Sequence, residues 1–126
     1  MFERLIAVYG TLRKGQGNHY FLGDSEFLGL RQTEPNFTLY NNNNWFPFLY
    51  PEGDTAVSIE VYRVTDEFIS RQIDRLEGYR GKDNPNNLYD CAQIETQWGM
   101  ADVFVCRGPK NLNIISSGDW LLRDKL

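Results

Sequence analysis

At 126 residues, with 41% apolar and 24% charged side chains, the chain is sized for one folded domain spanning 1–126 and is too apolar to be wholly disordered. Thirteen basic against seventeen acidic residues leave a net charge of −4, which repels a phosphate backbone and argues against nucleic-acid binding. No apolar run approaches the roughly 20 residues of a membrane helix, and Met1-Phe2-Glu3-Arg4-Leu5 has no signal-peptide character, so a cytoplasmic protein with no membrane partner is expected.

Leu5 to Tyr9 reads as a short buried strand ending at Gly10. A polar loop from Thr11 to Gly17 follows, then one helical turn over Asn18–Leu22, capped by Asn18 and stopped by Gly23. Glu26 to Tyr40 predicts one or two strands interrupted near Pro35. Asn41–Asn44 suits a turn, Trp45–Pro51 an aromatic, proline-stiffened loop, and Glu52-Gly53-Asp54 a second turn. Thr55 to Val64 alternates, with Val57, Ile59 and Val61 on one face and Ser58, Glu60 and Tyr62 on the other.

The period then becomes helical. Thr65 or Asp66 caps a helix, Ile69, Ile73 and Leu76 form its apolar stripe, and Gly78 ends it. Gly81–Asn87 is a loop. Tyr89 to Cys106 predicts a hairpin turning at Trp98-Gly99, which pairs Ala92 with Val105, Ile94 with Val103, Cys91 with Cys106 and Glu95 with Asp102. In a reducing compartment the two cysteines are expected as thiols. Ile114-Ile115 continues the chain, and Trp120 is positioned to plug one end of the core. About six strands and one helix point to an α+β fold: a mostly antiparallel, barrel-like sheet with helical structure on its flank.

His19, Cys91 and Cys106 offer no closely spaced metal ligands, and no nucleophile elbow is present. No metal or cofactor is expected, and chemistry falls to carboxylates, hydroxyls and backbone groups. Two places can supply it. Tyr9-Gly10-Thr11-Leu12 follows a strand, where backbone N–H groups can converge on an anion and Thr11 adds a hydroxyl. The plainer reading is a strand-to-loop turn. Glu77 falls in the last helical turn, where the negative end of the dipole opposes ionisation and pushes a carboxyl toward general-base range. The plainer reading is a solvated Glu paired with Arg75, Arg80 or Lys82. Weaker candidates are Arg13 and Lys14 for an acidic substrate group, Tyr89 as a hydrogen-bond donor, and the Trp45–Pro51 loop as a lid.

Tyr9-Gly10-Thr11-Leu12 with Asn18, Leu76-Glu77-Gly78-Tyr79, Tyr89 and Ser117-Gly118-Asp119-Trp120, in this order, resemble the γ-glutamylcyclotransferase-like superfamily, in particular its small bacterial and γ-glutamylamine cyclotransferase-like branch. The resemblance implies a six- or seven-stranded barrel with flanking helices. It implies an enzyme that closes a γ-glutamyl amine or peptide to 5-oxoproline, releasing the amine. It assigns Glu77 as the catalytic acid/base, with Tyr9, Gly10, Thr11, Leu12 and Tyr89 holding substrate. The family's Arg two residues after the downstream Tyr is absent, since the chain reads Tyr89-Asp90-Cys91. A non-catalytic module for an amino-acid-like ligand is the alternative, and an interaction protein using the Trp45–Tyr50 loop is a third reading. The leaving amine is left open.

Overall fold

Both faces of β1 (Arg4–Val8) are buried, and this strand organises the layers. Leu5, Ala7 and Tyr9 point into one core, Ile6 and Val8 into another. A strand covered on both sides reads as an unbroken apolar run, as this one does. The computed structural model describes residues 1–124.

After β1 come a 3-10 helix (His19–Leu22), β2 (Glu26–Gln32), β3 (Phe37–Asn42), β4 (Phe46–Thr55), β5 (Ser58–Val64), α1 (Glu67–Leu76), β6 (Asp90–Thr96), β7 (Gly99–Val105), β8 (Asn113–Ile114) and a 3-10 turn (Trp120–Leu122). Five strands form a sheet in the order β2-β5-β1-β7-β6, and three more form a second sheet, β4-β3-β8. The first core lies between the sheets. There Leu39 and Leu49 meet Val57, Ile59, Val61, Val103 and the plug Trp120. The second core lies under Ile73 of α1 and Leu22, with Tyr62, Val64 and Phe104 as its floor.

The fold is α+β as expected, but the strand ladders make two sheets and do not close into a barrel. The β1–β7 pair is parallel, against an otherwise antiparallel pattern. Residues 46–51 belong to a strand and not to a free loop. β4 is an edge strand, where Pro47 is tolerated. Glu52-Gly53-Asp54 is an irregularity inside β4: register jumps from Thr38↔Tyr50 to Phe37↔Thr55. Gly53 has φ 134°, and a Cβ there would stand 2.3 Å from Thr38 Oγ1.

The hairpin also differs from expectation. Its turn is Gln97-Trp98, with Thr96 opposite Gly99. Cys91 therefore faces Phe104, Ala92 faces Val103, Ile94 faces Ala101, and Asp102 sits beside Gln93, which donates to it at 3.1 Å. Cys91 and Cys106 are both free thiols and are not cross-strand partners. A shift of two residues keeps every side chain on its original face, so alternation alone does not choose between the registers. The turn chooses: Thr96 Oγ1 accepts from Trp98 N–H and donates to the Gly99 carbonyl, and Gly99 takes φ 125°. No helix among the described residues is long and apolar enough to cross a membrane.

Candidate active site

A cleft of about 270 Å³ opens where the end of β1, the end of α1, the start of β4 and the segment before β6 converge. It brings together Tyr9, Gly10, Thr11, Leu12, Glu77 and Tyr89, all read from the sequence as site residues. It also recruits Trp45, Phe46, Pro47, Leu76 and Leu88.

The Gly10–Leu12 loop is held by its neighbours. Asn18 N–H donates to the Thr11 carbonyl at 2.9 Å, and Asn18 Nδ2 donates to Thr11 Oγ1 at 3.0 Å. Asn18 thus ties down the loop and does not cap the following helical turn. His19 Nδ1–H donates to the Leu12 carbonyl at 2.9 Å. Arg13, a candidate substrate cation, is instead buried, with Nε 2.9 Å from Glu60 and Nη1 2.7 Å from Asp119. Lys14 lays its Nζ over the Phe27 ring, 4.4 Å from the centroid. Neither is available to a ligand in the cleft.

Thus braced, the N–H groups of Gly10, Thr11 and Leu12 have no acceptor among the described residues. Unpaired donors on consecutive residues form a ready anion cradle. Gly10 is required for space more than for an unusual φ, since a Cβ there would lie 2.5 Å from Pro47 Cγ. Tyr9 contributes its backbone only. Its ring enters the core between the sheets, and its hydroxyl donates to the Phe104 carbonyl at 2.6 Å.

Glu77 is placed by the way α1 stops. Asp66 caps the start through Phe68 N–H, and Ile73 is fully buried. At the other end, Gly78 takes φ 65°, its N–H donates to the Arg75 carbonyl, and Tyr79 N–H reaches back to Asp74 at 2.8 Å. These two bonds form a Schellman motif with Glu77 as the C-cap. Tyr79 then packs edge-on against Phe104, with centroids 6.0 Å apart. Leu76 leaves the expected apolar stripe, stands 37% exposed and lines the cleft.

The Glu77 carboxylate has no hydrogen bond or ion pair among the described residues, so Arg75, Arg80 and Lys82 leave it free. Burial, with the charge of Asp74 adding, raises it from an ordinary 4.5 to about 7. The direction is the one expected, but removal from water is the main cause.

Tyr89 closes the far wall. Its hydroxyl donates to the Pro47 carbonyl at 3.1 Å and its ring stacks on Phe48 at 5.7 Å. Its ring faces the cleft while its proton is committed to β4. Cys91, at the position of the absent Arg, packs against the second core beside Arg4, and burial pushes its thiol up to about 11. Arg4 is itself bound to Asp102 at 2.6 Å, Asp74 at 2.9 Å and Ser70 at 2.9 Å, which clamps α1 to the sheet. The sequence signal for the aromatic wall was the Trp45–Pro51 cluster. Leu88, in a polar stretch, gave none.

The sequence profile of the family described as gamma-glutamyl cyclotransferase, AIG2-like, matches residues 6–122. The chain belongs to this family. It is 39% identical over 122 residues to a Vibrio cholerae protein provisionally named a gamma-glutamylcyclotransferase, covering 96% of this chain and 98% of that one. The solution structure of Escherichia coli protein ytfP superposes with a TM-score of 0.72 at 34% identity, covering 96% and 99% of the two chains. A Niallia circulans protein named gamma-L-glutamyl-butirosin B gamma-glutamyl cyclotransferase is 38% identical over 97 residues, 77% of this chain and 59% of that one.

Proposed function

We propose that this member of the family cyclises a γ-glutamyl amide to 5-oxoproline and releases the amine, with Glu77 as the acid/base. The observation that carries the reading is an unpaired carboxyl, raised to about 7, in the same cleft as three unpaired N–H groups. The activity named for the Niallia circulans relative, gamma-glutamyl cyclotransferase on gamma-L-glutamyl-butirosin B, supports the same reaction class.

In this scheme ionised Glu77 takes a proton from the substrate's α-ammonium. The freed amine attacks the γ-carbonyl carbon, and the ring C–N bond forms. The nucleophile and carbonyl belong to one molecule, so the cleft need only fold the substrate into attack geometry. The N–H groups of Gly10, Thr11 and Leu12 hold the α-carboxylate or the forming oxyanion. Glu77 then returns its proton to the leaving nitrogen as the amide C–N bond breaks. A carboxyl near 7 is better matched to this exchange at neutral pH than one at 4.5. Tyr89 and Pro47 form the wall against which the glutamyl half folds.

The test is release of 5-oxoproline from a panel of γ-glutamyl amino acids and γ-glutamylamines, with Glu77→Gln beside the native protein. Release by the native protein alone is expected. Silence from folded native protein, with ligands bound but unconverted, would overturn the reading in favour of a binding module.

A further inference from the structure

We propose that the mouth of the cleft is a subsite for an apolar, uncharged amine, with Trp45 and Leu88 as its specificity-determining side chains. The proposal rests on the reading of the cleft as a γ-glutamyl amide site and names which amides it takes.

The first observation is charge. Among the described residues, Glu77 is the only charged side chain lining the cleft. In the scheme above, Glu77 is taken up by the ammonium of the glutamyl half, and the Gly10–Leu12 N–H groups by its carboxylate or its forming oxyanion. A second carboxylate, such as an amino-acid leaving group carries, would find no cation among the described residues that line the cleft. Outside the lining, Arg13 is engaged with Glu60 and Asp119, Arg107 with Asp90 at 2.9 Å, and Lys110 lies over the Phe48 ring at 4.7 Å, while Arg75, Arg80 and Lys82 do not line the cleft. An anion taken from water without a partner is disfavoured, and Glu77 would repel it further.

The second observation is exposed apolar surface. Trp45 and Leu88 are each 74% exposed, and both line the cleft. They come from different segments, so an apolar group between them would be covered from two sides. Both are anchored through the backbone. Trp45 N–H donates to the Asn42 carbonyl at 3.0 Å, closing a turn in which Asn43 and Asn44 take φ 56° and 63°. Leu88 N–H donates to the Gly78 carbonyl at 3.0 Å, and its side chain lies so close over Gly78 that a Cβ there would meet it at 2.9 Å. The Leu88 bond runs to the residue after Glu77, so the subsite and the acid/base share one anchor. Large apolar side chains exposed to water beside a reactive carboxyl are suited to a ligand that covers them.

The experiment compares kcat/KM for three γ-glutamyl compounds: the phenethylamide, the methylamide and γ-glutamylphenylalanine. The first and third differ by one carboxylate, the first and second by the apolar group. The phenethylamide is expected to exceed each of the others by about 10-fold or more, the scale of discrimination that small pocket contacts achieve. Trp45→Ala with Leu88→Ala should bring the phenethylamide-to-methylamide ratio toward one. Leu88→Arg should raise γ-glutamylphenylalanine relative to the phenethylamide. Equal values across the three compounds in active native protein would overturn the subsite and leave the cyclisation reading standing. Calorimetric binding of the same three compounds to Glu77→Gln protein decides the subsite independently of turnover. The same ranking there supports it even if no compound is converted, and equal, reversed or absent binding overturns it.

Discussion

Glu60 and Glu77 are both withdrawn from bulk water, and their surroundings could hardly differ more. Glu60, on β5, accepts from Arg13 Nε, Lys14 N–H and Tyr62 Oη, each at 2.9 Å. Arg13 extends this cluster to Asp119, which in turn caps the turn at Trp120–Leu122 through Leu121 N–H. Trp120 Nε1 donates to Gln16 at 3.1 Å, so the loop after β1 is gripped from both sides. Glu77 has no such partners among the described residues, and the charge that acts on it is the like charge of Asp74. A satisfied carboxylate fixes its scaffold. An unsatisfied one faces an open cleft with a proton affinity suited to exchange. The first region makes the second usable, because the Glu60 cluster holds the loop whose free N–H groups share the cleft with Glu77.

The contrast breaks most readily at Glu77. Glu77→Gln should lower kcat by about 10²- to 10⁴-fold, the usual range for a positioned acid/base, while near- and far-ultraviolet circular dichroism stay native. Arg13→Met should act on the other side of the comparison. It leaves Glu60 buried without its cation, and urea unfolding should show a loss of about 3–5 kcal/mol.

Stability against pH should also separate the two. The folded value of Glu77 is raised from 4.5 to about 7, so the native state binds more protons than the unfolded state between those values. Its contribution is full below 4.5 and is lost as pH rises to about 7. The spread corresponds to about 3 kcal/mol. Glu77→Gln should therefore raise Tm over the native protein at pH 8, with the gain shrinking toward pH 4.5. In step with this, kcat/KM should rise with pH through an apparent pKa near 7, and Glu77→Gln should abolish that limb. The smallest effect belongs to Tyr9→Phe. Losing its 2.6 Å bond to the Phe104 carbonyl should cost about 1–3 kcal/mol of unfolding free energy. Turnover should stay within a few-fold of native, since the hydroxyl faces the core.

Much of this was legible from residue order. The helix over Asp66–Gly78 could be read because its cap, its apolar period and its terminating Gly are local signals, and these alone place Glu77 at a helix end. The turn after Tyr9 was legible for the same reason. Other features were not local. Arg13 looked like a substrate cation until Glu60 and Asp119, 47 and 106 residues away, were seen to neutralise it. Leu88 looked like an incidental apolar residue in a polar loop until its bond to Gly78 set it at the cleft mouth.

By itself, then, the sequence determined the elements with short-range causes: strands from alternation, the helix from its period and caps, the turns from Gly and Asn, and the family from motifs in order. Tertiary structure alone decided the rest. It set the hairpin register, which alternation leaves ambiguous by two residues. It made a strand of residues 46–51, because an edge position spares Pro47 a hydrogen bond it cannot donate. It made a reactive group of Glu77, because proton affinity depends on which charges and how much water surround a carboxyl, and neighbours brought by distant segments decide both.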